Sequence, residues 1–454
     1  MGYLPHTPEE TRLMLDVVGV SSIDDLFADI PPEVRFKGEM GVPPALTEAE
    51  ILADTARLAG MNRDVESRPC LLGAGAYRHF IPSAVDAVLS RPEFATAYTP
   101  YQPEASQGTL QAIFEFQTMI CRLTGLDVAN ASLYDGASAT AEAAALAASS
   151  TGRGRVLVSR SVHPEYRQVL KTYFAAAGEI VVDEIPLADG LTDLTALGDL
   201  LDADTAAVII QDPSFLGLVE AREALVAQAH AHGAKVVAVC TDPTAWGLLR
   251  RPGQWGADIA VGEAASMGLP LSFGGPYVGF IAVKDEFVKR LPGRLVGMTC
   301  DLDGRRGFCL TLQTREQHIR REKATSNICT NQALCALAVT VWLGAIGPRG
   351  LSEVAGASAR RARHARQRFE ESGLLTPRFP HPFYHEFVMR ASVDPNEINA
   401  RLAENGMVGG LALGRFYPEL SDSLLFCATE VLSRADVDRA ALVLSELRSP
   451  AMRG

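Results

Sequence analysis

The chain has 454 residues, 47% of them hydrophobic and 21% charged, with a formal net charge of −12; this is ordinary globular composition with room for two or three domains, and the acidic balance without a dense Lys/Arg block argues against a nucleic-acid binder. The 8 cysteines are dispersed without a C-x-x-C pair, so a disulfide framework, a zinc site or any other metal centre is not expected, and a reducing cytoplasm is. No export leader is visible at the N-terminus, and the longest apolar helical run, 333–346, is shorter than the roughly 20 residues of a membrane span, so a soluble protein without membrane association is expected.

Residues 1–60 read as a helical arm. Thr7-Pro8-Glu9-Glu10 and Thr47-Glu48-Ala49-Glu50 are helix starts with a hydroxyl cap and acids in the first turn. Pro31-Pro32 and Pro43-Pro44 break the chain between them. Such an arm buries little apolar surface alone and is expected to lie on the main body or on a partner.

From about residue 61 the pattern alternates between strand and helix. The loop 98–108, Tyr-Thr-Pro-Tyr-Gln-Pro-Glu-Ala-Ser-Gln-Gly, combines stiffening prolines with aromatic, amide and acidic side chains, which suits a ligand or interface loop. Asp135-Gly136-Ala137-Ser138 then opens an alanine-rich helix over 139–149. Strands are predicted at 155–159, 180–184, 206–211 and 235–240, with helices at 165–177, 194–201 and 221–232 between and after them. That alternation implies a parallel sheet covered on both faces, and ligands of such sheets bind beyond the carboxyl ends of the strands. The loops 135–138, 161–163, 212–214 and 241–243 collect there.

The stretch 258–283 places two short apolar strands around a turn that ends in Gly274-Gly275-Pro276. Beyond it, 294–331 is long and polar. A helix is predicted at 331–345, a basic helix at 360–368, then alternating 386–390, helix 395–405, strand 424–428 and helix 434–447. Residues 331–454 thus form a small α+β C-terminal domain after a large α/β domain at 61–330.

The stretch 258–283 is similar to pyridoxal-phosphate (PLP) enzymes of the aspartate-aminotransferase type, fold type I, where the cofactor's Schiff-base lysine precedes the glycine-rich turn. Ser266 stands where that lysine is sought. A PLP site needs a lysine, an acid facing the pyridine nitrogen, a phosphate cradle and a group stacked on the ring. The chain's lysines are Lys37, Lys171, Lys235, Lys284, Lys289 and Lys323, and only Lys323 sits in a distinctive context, the mixed-sign run 315–323. That run reads as a solvated helical face. Gly136-Ala137-Ser138 suits a phosphate cradle or a plain N-cap; Asp242 suits a pyridinium partner or a turn cap. Thr325-Ser326-Asn327 follows the charge run and offers hydroxyls beside positive charge, an anion site or a cap.

Together these segments resemble the glycine cleavage system P-protein family, in particular the first subunit where that protein is split in two. The matching stretches are 98–108, 130–142, 270–275, 292–294 and 312–332, the last containing Arg-Glu-Gln-His-Ile-Arg-Arg-Glu-Lys-Ala-Thr-Ser-Asn. The resemblance implies fold type I, decarboxylation of glycine, and transfer of the aminomethyl group to the lipoyl arm of the H-protein. It also implies a beta subunit that carries the Schiff-base lysine and binds PLP covalently, with Ser266 at the corresponding position here and no covalent cofactor on this chain. Tyr98, Tyr101, Gln102, Glu104, Thr325, Ser326 and Asn327 are then the candidates for completing the partner's site, in what the family suggests is an assembly of two alpha and two beta chains. Two other readings stay open: a scaffold or docking subunit with no residue in the site, and a self-contained PLP enzyme using Lys323.

Overall fold

Runs such as Val-Leu-Val and Val-Ile-Ile, apolar at successive positions, suit strands whose sheet is covered on both faces. In the computed structural model, which describes residues 6–175, 178, 180–324, 326–328 and 330–447, they form a seven-stranded sheet. Its strands are β1 (Val128–Ala129), β2 (Arg155–Ser159), β3 (Val181–Ile185), β4 (Thr205–Gln211), β5 (Lys235–Cys240), β6 (Ile259–Glu263) and β7 (Gly279–Val283). They lie in the order β1-β7-β6-β5-β4-β2-β3. The pairs from β3 through β6 are parallel, whereas β7 pairs antiparallel with both β6 and β1. Alternate residues feed two cores: Leu157, Val208, Val236 and Ala260 on one face, Val156, Ile209, Val237 and Val261 on the other.

The N-terminal unit, through Arg63, contains α1 (Pro8–Val18) and α2 (Glu48–Ala59), and both expected capping boxes are present: Thr7 with Glu10, Thr47 with Glu50. None of its described residues is buried. In the second unit, from Asp64 on, the helices include α3 (Gln107–Thr124), α4 (Gly136–Thr151), α5 (Pro164–Ala175), α6 (Leu194–Leu200), α7 (Arg222–Ala231), α8 (Ala333–Glu371), α9 (Pro395–Glu404) and α10 (Arg434–Glu446). A four-stranded antiparallel sheet of β8 (Leu375–Pro377), β9 (Glu386–Ala391), β10 (Leu411–Ala412) and β11 (Ser423–Cys427), ordered β8-β9-β11-β10, packs on the second half of α8, α9 and α10 through Phe369, Ile398, Phe426 and Val437. This is the fold-type-I plan the sequence suggested.

The helices expected at 331–345 and 360–368 are two parts of α8, kinked at Gly347 (φ 61°, ψ −177°) beside Pro348, a conformation open to glycine and a proline that breaks the ladder. The helix as a whole is long and apolar enough to cross a membrane by length and composition alone, but Ala336, Val339 and Trp342 are buried in the sheet's core. Between 294 and 331, which the sequence marks only as long and polar, one expectation fails. A hairpin of Leu295–Cys300 with Arg306–Thr311 occupies the first part. The charge run is no single solvated helix: it divides into the turns Gln313–Arg315, Gln317–Arg320 and Arg321–Lys323. Arg315 is buried, and its guanidinium donates to the carbonyls of Leu291 and Gly293 (2.9 Å to the latter). A cation spent on carbonyls 22 and 24 residues back cannot stay on a solvated helical face.

Candidate functional site

The strands β2, β4, β5 and β6 all end toward one cleft, and three elements the sequence singled out meet there. Ser266, three residues past β6, is buried and donates its hydroxyl to Asp242 Oδ1 at 2.8 Å. Asp242, two residues past β5, also caps the following turn by accepting from Thr244 N at 3.1 Å. Gly136 opens α4, and its N–H points at Glu263 Oε2, 3.1 Å away. The amine position, the pyridinium acid and the helix N-terminus of a PLP site are therefore assembled. His163, on the loop after β2, adds a ring at the same end, set edge-on against Phe215 at 4.8 Å.

The cradle is already filled, by a carboxyl group of the chain itself. Glu263 Oε1 accepts from Val278 N (2.8 Å) and Ala265 N (3.0 Å), while Oε2 takes Gly136 N. A carboxylate on the first amide of a helix satisfies both an orphan N–H and the helix dipole, as a phosphate does. Ser138 is spent in a reciprocal cap with Asp135 (Ser138 N to Asp135 Oδ1, 2.7 Å), so the capping reading of 136–138 holds. Gly136 leaves no space either: a Cβ there would lie 2.1 Å from the Tyr166 hydroxyl. Burial pushes the Glu263 carboxyl up to about 7, the three amides pulling down and Asp135 pushing up. A folded-state pKa raised from 4.5 contributes stability that is complete below 4.5 and lost as pH rises through 7. Glu263→Gln, which leaves Gly136 N without its acceptor, is expected to cost about 2 kcal/mol at pH 5, with the deficit narrowing toward pH 8. Urea midpoints across that range test it, and a deficit constant with pH would remove Glu263 as the titrating group.

The ring space is filled as well. Gly75 lies flat on the His163 imidazole, where a Cβ would come within 2.6 Å of Nε2; His163 Nε2 is 2.9 Å from the Ala74 carbonyl. The Tyr77 hydroxyl reaches Glu386 Oε2 (2.8 Å) and Thr241 Oγ1 (3.1 Å). What remains between Tyr77, Glu263 and Ser266 is a void of about 10 Å³, at the limit for one water and far below a cofactor pocket of several hundred Å³. The residues present do not fit PLP.

Asp242 itself is enclosed by two imidazoles, His79 Nε2 at 3.0 Å and His385 Nε2 at 2.6 Å on Oδ2, and His79 Nδ1 is 2.8 Å from Glu430. The three ligand-type atoms of His79, Asp242 and His385 lie within 4.8 Å of one another, a spacing open to a metal. Protonation accounts for it better. Burial lowers the His79 pKa, but Asp242 and Glu430 outweigh it and raise the group to about 10, so an imidazolium sits between two carboxylates. Asp242 is held well below its ordinary range by the same contacts, against the upward push of burial.

The expected partner-facing residues gather elsewhere. Tyr98 and Tyr101 are 83% and 56% exposed, and Gln102 and Glu104 are exposed too. The Arg294 guanidinium lies over the Tyr101 ring (5.5 Å to its centroid) and donates to the Tyr101 hydroxyl and to Asn331 Oδ1, both at 3.4 Å. Asn331 in turn donates to the Ala131 carbonyl and Ser132 Oγ at 3.1 Å. Arg294 thus ties loop 98–104 to the segment preceding α8. Among the described residues its Nε has no hydrogen-bond partner although the side chain is only 6% exposed, and Glu316 stands 4.0 Å away. Ser326 accepts from Ile328 N (3.0 Å) and binds Glu142, whose carboxyl burial raises to about 6 despite that hydroxyl. Asn327 is exposed, Thr325 lies outside the described residues, and Lys323 is exposed on its turn. Lys171, Lys235 and Lys284 are ion-paired with Glu184, Glu286 and Asp258, and Lys37 and Lys289 are exposed, so no lysine lines the cleft. Sequence reasoning missed Glu263, His79, His385 and Arg294. The one local signal was Glu263 itself, an acid ending an apolar strand three residues before Ser266.

The family model described as Glycine cleavage system P-protein matches residues 1–444. A protein of Moorella thermoacetica named "Probable glycine dehydrogenase (decarboxylating) subunit 1" is 53% identical over 96% of this chain and 98% of its own. One of the same name from Desulforamulus reducens is 51% identical over 98% of this chain and 100% of its own. A crystal structure of glycine decarboxylase (P-protein) of the glycine cleavage system, in inhibitor-bound form, superposes with a TM-score of 0.91 at 47% identity, covering 98% of this chain and 100% of that one. The sphingosine-1-phosphate lyase of Burkholderia pseudomallei shares the fold, with a TM-score of 0.65 at 16% identity.

Proposed function

The chain belongs to the glycine cleavage system P-protein family, and from that membership we propose that it is subunit 1 of a two-subunit glycine dehydrogenase (decarboxylating). In this reading it works in the cytoplasm with a beta subunit that binds PLP covalently. The pair decarboxylates glycine and passes the aminomethyl group to the lipoyl arm of the H-protein. The observation that carries the division of labour is the cleft around Ser266: it has the plan of a cofactor site, no lysine, and a glutamate in the phosphate position. Chemistry must then be done on another chain.

This chain's own contribution is made by the exposed Tyr98, Tyr101, Gln102, Glu104 and Asn327, with the half-buried Ser326 beside the last. Stiffened by two prolines and anchored through Arg294, loop 98–104 can close a neighbouring pocket and exclude water, which strengthens every charge interaction inside it. Tyr101→Ala is expected to lower turnover of the assembled complex about tenfold or more while leaving the elution volume of the complex unchanged. An unaltered rate in an intact complex would sink the assignment. The scaffold reading has support of its own in the N-terminal unit, where Val17, Val34, Phe36 and Met61 are among the large apolar side chains left exposed, a surface suited to docking a second subunit.

A further inference from the structure

The second half of α8 carries a row of guanidiniums that make no ion pair among the described residues. Arg360, Arg363 and Arg366 line a cleft of about 770 Å³ together with Phe383, His381 and a single acid, Glu370. Three and six residues apart on a helix, the three project from one side over a length of about 9 Å. Among the described residues none of them has a carboxylate within 4.0 Å. Two other arginines of the same helix are paired, Arg349 with Glu353 at 2.8 Å and Arg368 with Asp438 at 2.8 Å. Arg366 is also placed in advance, its guanidinium over the Phe383 ring at 5.3 Å from the centroid.

Like charges at such spacing cost a helix a few tenths of a kcal/mol per pair, and this chain, at −12 overall, has acids to spare. Leaving a cationic row uncompensated on an acidic protein makes it a local attractor on a surface that otherwise repels anionic partners, which is how charge sets orientation and specificity at an interface. The planar fork of arginine matches carboxylates two bonds at a time. The lining contains no glycine-rich loop and no helix N-terminus of the kind that cradles a small phosphate; instead Phe383 and its flanking prolines Pro380 and Pro382 offer an apolar wall to a chain laid along the row. We propose that this cleft docks an acidic polypeptide segment of a partner protein, its Asp/Glu side chains meeting Arg360, Arg363 and Arg366 and its backbone lying against Phe383.

The proposal is independent of the partner-site reading, because the full chain alone suffices to test it. A fluorescein-labelled decaglutamate peptide is titrated against the wild type, Arg360→Glu/Arg363→Glu, and the milder Arg360→Gln/Arg363→Gln. Loss of two charge-assisted contacts at about 1 kcal/mol each predicts binding weakened roughly 30-fold by the reversal. The glutamine pair should weaken it less, and wild-type affinity should fall steeply between 50 and 200 mM NaCl. Both positions are exposed, and unchanged melting curves confirm folding. Equal binding by all three proteins overturns the proposal. So does displacement of the peptide by millimolar inorganic phosphate, which makes the row a small-anion site, or wild-type self-association that the reversal abolishes, which makes its occupant a second copy of this chain.

Discussion

Asp242→Asn is expected to lower folding stability by roughly 3–5 kcal/mol at neutral pH, the cost of removing one partner from a buried ionic cluster. The side chains of His79, Asp242 and His385 are 0%, 3% and 4% exposed, so no water replaces the lost carboxylate. Asn also offers an N–H wherever it is turned. Placed at Oδ2 that donor faces the two imidazoles; placed at Oδ1 it faces the Ser266 hydroxyl and the Thr244 amide. The pH dependence follows from two shifts of opposite sign. Asp242 is depressed from 3.8, so its stabilisation is present above 3.8 and lost as pH falls below it. His79 is raised from 6.5 to about 10, so its share is complete below 6.5 and lost as pH rises through 10. The gap between variant and wild type should be widest between these limits and shrink at both ends. Urea denaturation at pH 3.5, 6 and 10 measures it. A deficit under about 0.5 kcal/mol throughout would reduce Asp242 to an ordinary turn cap.

The parts of this site that were legible in the sequence are those whose signal is local. β2 and β5 were placed to the residue because apolar runs bounded by turns admit one reading. Ser266 emerged from a missing lysine before a glycine turn, and the loop 98–108 from its own composition. What escaped depends on contacts between distant segments. Glu263 becomes a phosphate substitute only because β7 delivers Val278 N and α4 delivers Gly136 N to its two oxygens. His385, the residue before β9 of the smaller sheet, meets Asp242 across 143 residues. Arg315 looked like a member of a solvated charge run because its run has mixed sign; the carbonyls of Leu291 and Gly293 that bury it carry no sequence signature. Arg294 falls within a matching stretch yet carries no signal of its own, since a lone arginine says nothing until Tyr101 lies beneath it.

Restoring the missing amine should not restore the cofactor. Ser266→Lys adds a four-carbon stem and an ammonium beside a void of about 10 Å³ and removes the hydroxyl bonded to Asp242. Overpacking and the lost bond predict about 3 kcal/mol of destabilisation. The new ammonium would compete with His79 for Asp242 rather than stand free as a nucleophile, since a buried lysine keeps its proton beside a carboxylate. Incubation with PLP and borohydride, followed by peptide mass mapping, should therefore give no label at position 266. Comparing Ser266→Lys alone with Ser266→Lys/Glu263→Ser locates the obstruction. Label in the single variant would show that the cleft opens and that its filling is no barrier. Label confined to the double variant would put the block in the occupied cradle, with three amides left to receive the phosphate. Label in neither assigns it to Gly75 and Tyr77, which take the place of the ring. On either of the last two outcomes, the missing lysine is one of several features of this cleft that keep the cofactor out.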